Sequence, residues 1–228
     1  MKISGLQKLT LLDYPGKLAA TVFLSGCNFR CPFCHNASLV VNPSVGQIEE
    51  DEFFDFLLSR KDRLGAVCVS GGEPTLYSEL PSFINRIKEM GFLVKLDTNG
   101  YRPSVLRSLV TDGLIDYVAM DIKNSKDSYK KTVGIENFDI VPICESVDFL
   151  LSGKVDYEFR TTVVRELHSE KDFVAIADWI GGAKNYFLQS FKDSGDIIGS
   201  GFSAYNENEM KDLLKLLKTK IPNAQIRS

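Results

Sequence analysis

Several features are missing from this sequence, and each absence removes a class of protein. No stretch approaches ~18 uninterrupted apolar residues, so no membrane-spanning helix is expected. The start, Met1-Lys2-Ile3-Ser4-Gly5-Leu6-Gln7-Lys8, lacks the apolar run of a signal peptide, which makes the cytoplasm the expected location. Lys plus Arg number 27 against 30 Asp plus Glu; the net charge of -3 provides no whole-protein field to hold a polyanion, so nucleic acid is not an expected ligand. No Pro-, Gly- or Ser-rich linker, low-complexity tract or internal repeat divides the chain. Cysteine is scarce too. There are five, an odd number with three packed into Cys27, Cys31 and Cys34, which is a poor disulfide framework. Those thiols read instead as metal ligands.

What is present is ordinary globular usage: 44% hydrophobic and 25% charged residues argue against disorder, collagen-like repeats or a coiled coil. From Leu18 onward, short apolar runs alternate with amphipathic segments. Leu18 to Leu24, Ala66 to Val69, Phe92 to Leu96, Ile115 to Met120, Val155 to Val164 and Lys184 to Leu188 read as strands. Between them, apolar residues at helical spacing recur, as in Leu80, Phe83, Ile84 and Ile87, in Ile140 to Leu151 and in Asp172 to Ile180. Glu207 to Lys218 supplies the last helix, with Met210, Leu213, Leu214 and Leu217 on its inner face. Six such units imply an α/β fold with a parallel sheet, and their number fits a partial, laterally open (β/α)6 TIM-like barrel better than a closed eight-unit one. The 228 residues allow one domain: an extension over 1–17, the partial barrel over 18–190, and a C-terminal helix and cap over 191–228.

The loop after the first strand reads Ser25-Gly26-Cys27-Asn28-Phe29-Arg30-Cys31-Pro32-Phe33-Cys34-His35-Asn36. Thiols at both the +4 and +7 offsets of one cysteine arise by chance on the order of 0.2% of the time, so coincidence explains little. Two metals compete for the loop. Zinc usually takes four ligands, commonly as two separated pairs, and here no second pair exists. An iron-sulfur cluster normally takes four thiolates; three would leave one iron of a 4Fe-4S cluster open to a substrate or cofactor.

The CxxxCxxC spacing, with Phe33 before its last cysteine, resembles the signature of the radical S-adenosylmethionine (SAM) enzymes. Further landmarks follow in order. Ser70-Gly71-Gly72-Glu73-Pro74 is similar to the family's GGE motif, Asp97-Thr98-Asn99-Gly100 to the DTNG stretch of the glycyl-radical-enzyme activases, and Asp121-Ile122-Lys123 to their D-x-K. Arg160 looks like their strand-five arginine. Each short motif alone is weak, since Gly-Gly-Glu-Pro and Asn-Gly are common turns. All of them fall at the carboxyl ends of successive expected strands, where parallel α/β folds put their active sites.

The resemblance implies a 4Fe-4S cluster on Cys27, Cys31 and Cys34 and a SAM whose amino and carboxylate groups chelate the open iron. It implies reductive cleavage to a 5'-deoxyadenosyl radical. Gly71 and Gly72 would offer edge carbonyls to the ammonium of SAM, with Glu73 holding this edge. Asp97 and Asp121 offer acceptors for ribose hydroxyls or a cation, Thr98 and Asn99 belong to the same binding stretch, and Lys123 and Arg160 would neutralise the carboxylate. Phe33 offers an apolar face near the adenine. His35 and Asn36 would orient the cysteine loop, and Gln189 would face the nucleoside. Cys68 and Cys144 read as core, and His168 as part of a surface loop.

Leu11-Leu12-Asp13-Tyr14-Pro15-Gly16-Lys17 resembles the activating proteins of anaerobic ribonucleoside-triphosphate reductase, which implies that enzyme as partner and a flavodoxin or ferredoxin type of electron donor. Pyruvate formate-lyase activases are similar, but carry a histidine before an acidic residue where this chain has Lys192-Asp193. Too few cysteines remain for auxiliary clusters. A radical SAM enzyme acting on a small molecule, such as a deazaguanine-forming synthase, is the alternative, and a non-catalytic metal module would leave the other landmarks idle.

Overall fold

The computed structural model describes residues 1–42 and 48–227. Its strands and helices are β1 (Ile3–Thr10), β2 (Ala19–Leu24), α1 (Ala37–Val41), α2 (Glu50–Ser59), β3 (Ala66–Gly71), α3 (Leu80–Glu89), β4 (Leu93–Thr98), α4 (Pro103–Thr111), β5 (Tyr117–Asp121), α5 (Tyr129–Val133), α6 (Val141–Leu151), β6 (Asp156–Val163), α7 (Glu170–Trp179), β7 (Tyr186–Ser190), α8 (Glu207–Lys218) and β8 (Ala224–Arg227). One sheet holds all eight strands in chain order. β1 runs antiparallel to β2, and every later pairing from β2 to β8 is parallel. β1 and β8 are the two edges, so the sheet forms an open partial barrel of the α/β class rather than a closed one.

The local reasons are direct. Ala66, Val67, Cys68 and Val69 of β3 are all fully buried, the pattern of a parallel strand covered on both faces. Helices cover the outer face through their apolar stripes: Leu80, Phe83, Ile84 and Ile87 of α3, and Ile143, Val147 and Leu150 of α6. Glu50, Asp51 and Glu52 in the first turn of α2 favour its positive N-terminal end. Asn206 and Glu209 form a capping box that fixes the start of α8.

Six strand-helix units were expected; the sheet adds a strand at each end. The segment before Leu18 is not a plain extension, because β1 lies in it and pairs with β2 through two register shifts. The segment after Ser190 is more than a helix and cap, because β8 pairs with β7. Cys68 sits fully in the core, whereas Cys144 is half-exposed on α6. His168 corrects the surface-loop expectation. It is 3% exposed, its Nδ1 lies 3.1 Å from the Val164 N–H that it accepts, and its Nε2 lies 2.8 Å from the Lys123 carbonyl to which it donates. Burial pushes the imidazole pKa below its ordinary value, so the neutral ring favoured there can fill both roles.

Candidate active site

Every residue singled out for the cluster or SAM, Glu73 excepted, lines one cavity at the carboxyl ends of β2 to β6, together with His35, Asn36 and Gln189. Parallel strands in register bring those ends together, and glycines let the loops above them approach closely. Gly71 has φ +115°, and a Cβ there would lie 2.3 Å from the Leu24 carbonyl oxygen. At Gly72 a Cβ would lie 2.0 Å from the Gly26 oxygen, so no side chain fits between the loop after β3 and the cysteine loop. Backbone bonds seal this contact: Gly72 N–H donates to Leu24 and Glu73 N–H to Gly26, both at 2.8 Å.

Glu73 is fully buried outside the cavity lining. One carboxylate oxygen accepts from Thr75 N–H at 3.1 Å, Thr75 Oγ1 at 2.5 Å and Thr98 Oγ1 at 2.8 Å; the other accepts from Asn99 N–H at 2.6 Å. Burial raises its pKa, and the four donors oppose that rise. It reaches the cavity only through the loops it ties together. Thr98 and Asn99 are held the same way: the Asn99 side chain donates to Asn28 Oδ1 at 2.8 Å, and so links the β4 end to the cysteine loop.

The thiols of the cysteine loop sit beside apolar rings and make few hydrogen bonds. Phe29 N–H donates to Cys27 Sγ at 3.3 Å, and Phe29 and Phe33 are buried beside the thiols. Burial pushes the Cys27 thiol up to about 11 and the Cys31 thiol up to about 12. Among the described residues no group of three His, Cys, Asp or Glu side chains converges on a single metal ion. Three thiols around one cavity, with no carboxylate in their loop, fit separate irons of a polynuclear cluster better than one zinc. A bound metal would also favour loss of the thiol protons that burial retains. His35 packs at a tilt against Phe191 with ring centroids 5.5 Å apart, and Asn36 Nδ2 donates to the Gly71 carbonyl at 3.4 Å, so both side chains brace the loop's end.

Beneath the loop, charged groups alternate in a row. Arg160 Nη1 bonds Asp97 Oδ2 at 3.2 Å, Arg160 Nε bonds Asp121 Oδ1 at 3.0 Å, and Lys123 Nζ bonds Asp121 Oδ2 at 2.8 Å. Burial pushes both carboxyls up. For Asp97 that effect is outweighed by Arg160 and Lys95, and for Asp121 by Lys123 and Arg160, so both stay below the usual carboxylate range. Ser70 Oγ adds a bond to Asp97 Oδ2 at 3.0 Å. Lys95, which sequence reasoning missed, was findable: two residues before Asp97 on one strand, its side chain leaves the same face.

A second chamber adjoins the first, and the two share His35, Arg160, Thr162 and Gln189 in their walls. It lies at the open seam of the barrel, between Leu12 and Asp13 of the β1–β2 connection on one side and Lys192 and Arg227 on the other.

Residues 21–180 match the Radical SAM superfamily. A protein of Methanocaldococcus jannaschii, provisionally named a glycyl-radical enzyme activating enzyme, is 38% identical over 99% of this chain and 95% of its own length. A 7-carboxy-7-deazaguanine synthase of Koribacter versatilis is 30% identical over 68% of this chain and 65% of its own. Among solved structures, Streptococcus suis SuiB bound to its precursor peptide SuiA superposes with a TM-score of 0.72 at 14% identity, covering 91% of this chain and 48% of SuiB. With a family match across most of its length and a relative aligned over nearly all of it, the chain belongs to the radical SAM superfamily, enzymes that use a 4Fe-4S cluster and S-adenosylmethionine.

Proposed function

We propose that this enzyme generates a glycyl radical on a partner enzyme, and that the partner is an anaerobic ribonucleoside-triphosphate reductase. The observation that carries the reading is the near full-length similarity to the archaeal relative named for glycyl-radical enzyme activation. The Asp13-Tyr14-Pro15-Gly16 segment supports the choice of reductase.

In this reading Cys27, Cys31 and Cys34 each hold one iron of the cluster. When bound, the cluster and SAM would supply one-electron cleavage of the sulfonium and, from it, the radical chemistry needed to remove a hydrogen atom from a target glycine. The protein's own groups position and screen. Gly71 and Gly72 bring the backbone edge to the SAM ammonium, Arg160 and Lys123 face its carboxylate, and Phe33 and Gln189 flank the nucleoside. Buried Phe29 and Phe33 keep water from the loop. The seam chamber, which shares His35, Arg160, Thr162 and Gln189 with the cavity, is where a polypeptide loop would enter. The electron comes from a flavodoxin or ferredoxin type of donor in the cytoplasm.

Reduced protein, SAM and each candidate glycyl-radical enzyme, incubated without oxygen, should give a glycyl doublet by electron paramagnetic resonance with the reductase. A doublet with pyruvate formate-lyase alone would replace the partner. The deazaguanine synthase relative favours a second reading, a small-molecule substrate, and turnover of such a metabolite with no doublet on any partner would establish it.

A further inference from the structure

Lys95 has no role in the reading above, yet it pairs with Asp97 of the cavity wall from behind and lines the adjoining seam chamber. Its side chain is 2% exposed, its Nζ meets Asp97 Oδ1 at 2.5 Å, and its other neighbour is Cys68 Sγ at 3.8 Å. With Lys95 included, all four carboxylate oxygens of the row are taken. Asp97 gives Oδ1 to Lys95 and Oδ2 to Arg160; Asp121 gives Oδ1 to Arg160 and Oδ2 to Lys123. The sequence left these aspartates open to ribose hydroxyls or a cation. In the structure, protein cations already occupy them.

Three cations, Lys95, Arg160 and Lys123, against two anions, Asp97 and Asp121, leave the row at +1; without Lys95 it would be neutral. Stability is a poor reason for a lysine here, because an apolar side chain of similar volume would avoid the cost of desolvating an ammonium. A ligand that brings a carboxylate to this floor gains from the extra charge, since water screens it little.

We propose that Lys95 is a positioning residue for SAM: its ammonium is a built-in cation that completes the row, gives it the net positive charge that favours the methionyl carboxylate facing Arg160 and Lys123, and takes the Asp97 oxygen that a free metal cation would otherwise hold. This rests on the proposed placement of SAM over the row.

The test is SAM affinity, measured by anaerobic equilibrium dialysis against the cluster-loaded protein in KCl, NaCl or choline chloride. Wild type should bind equally in all three. Lys95→Ala should bind about tenfold more weakly in choline chloride and recover when KCl replaces it. Cys68→Ala, which alters the ammonium's other neighbour, should bind normally. Wild-type affinity that collapses in choline chloride would overturn the proposal, and this arm needs no variant to fold. So would wild-type affinity in Lys95→Ala under choline, or an equal loss in Cys68→Ala. Gly72→Val separates the two levels: full SAM binding there refutes the cavity reading, whereas its loss beside normal binding in Lys95→Ala refutes Lys95 alone.

Discussion

The cysteine loop and the charged row share one cavity and stand in opposite relations to it. In the row every carboxylate oxygen already has a protein partner, so its geometry is fixed before any ligand arrives. In the loop the thiols make few bonds, and burial holds the protons of Cys27 and Cys31 in place. One wall is complete by itself, and the other is completed by what it binds. Preorganisation of the row lowers the cost of orienting SAM, whereas the loop couples its order to metal loading.

The sharpest way to break this contrast is to remove a thiol. Alanine at Cys27, Cys31 or Cys34 should reduce reconstituted iron and sulfide to background, while Cys68→Ala and Cys144→Ala retain the full complement; iron loss in Cys68→Ala would sink the assignment. Arg160→Met tests the other wall. It leaves two half-buried carboxylates each with one cation fewer, and should cost about 2–3 kcal/mol in urea unfolding while iron binding persists. Gly72→Val strikes the contact between the walls. Its side chain meets the Gly26 and Cys27 backbone, and a cost of about 1–3 kcal/mol with displaced cluster spectra is expected.

The smallest expected effect is on pH dependence. Burial lowers the His168 pKa from 6.5, so the unfolded chain takes up the proton first on acidification. The stability linked to this ring is therefore complete above pH 6.5 and is lost as pH falls toward the lowered value, with a slope of at most about 1.4 kcal/mol per pH unit. His168→Gln should flatten that slope in thermal unfolding from pH 7 to 5. The difference from wild type isolates His168 from His35, which burial shifts the same way.

How far the sequence could be read follows from where information resides in it. Apolar runs such as Ala66 to Val69 announce buried parallel strands, and the residues just after them announced the site, because parallel strands in register align their ends. β1 escaped because an edge strand alternates weakly: three of its eight residues are half-buried and three more are exposed, and Gly5 interrupts it. β8 is four residues long, too short to carry a pattern. His168 looked like a loop residue because its neighbours are polar, yet the ring turns inward to two backbone groups. Motif reading fixes on Asp97 and passes over Lys95, although strand alternation alone puts them side by side.

The order of the strands has a bearing on how the chain reaches this structure. Each strand pairs only with strands next to it in the chain, and β1 never meets β8. A closed barrel would hold its first strand unsatisfied until its last arrived, paying the loop-closure entropy of nearly the whole chain. Here no strand waits. Each crossover can dock on the one before it, which keeps sequence separations modest for a largely parallel sheet and suits assembly from the N-terminus during synthesis. The cysteine loop, in the first crossover, is then flanked by β3 and β4 while the later strands are still unmade.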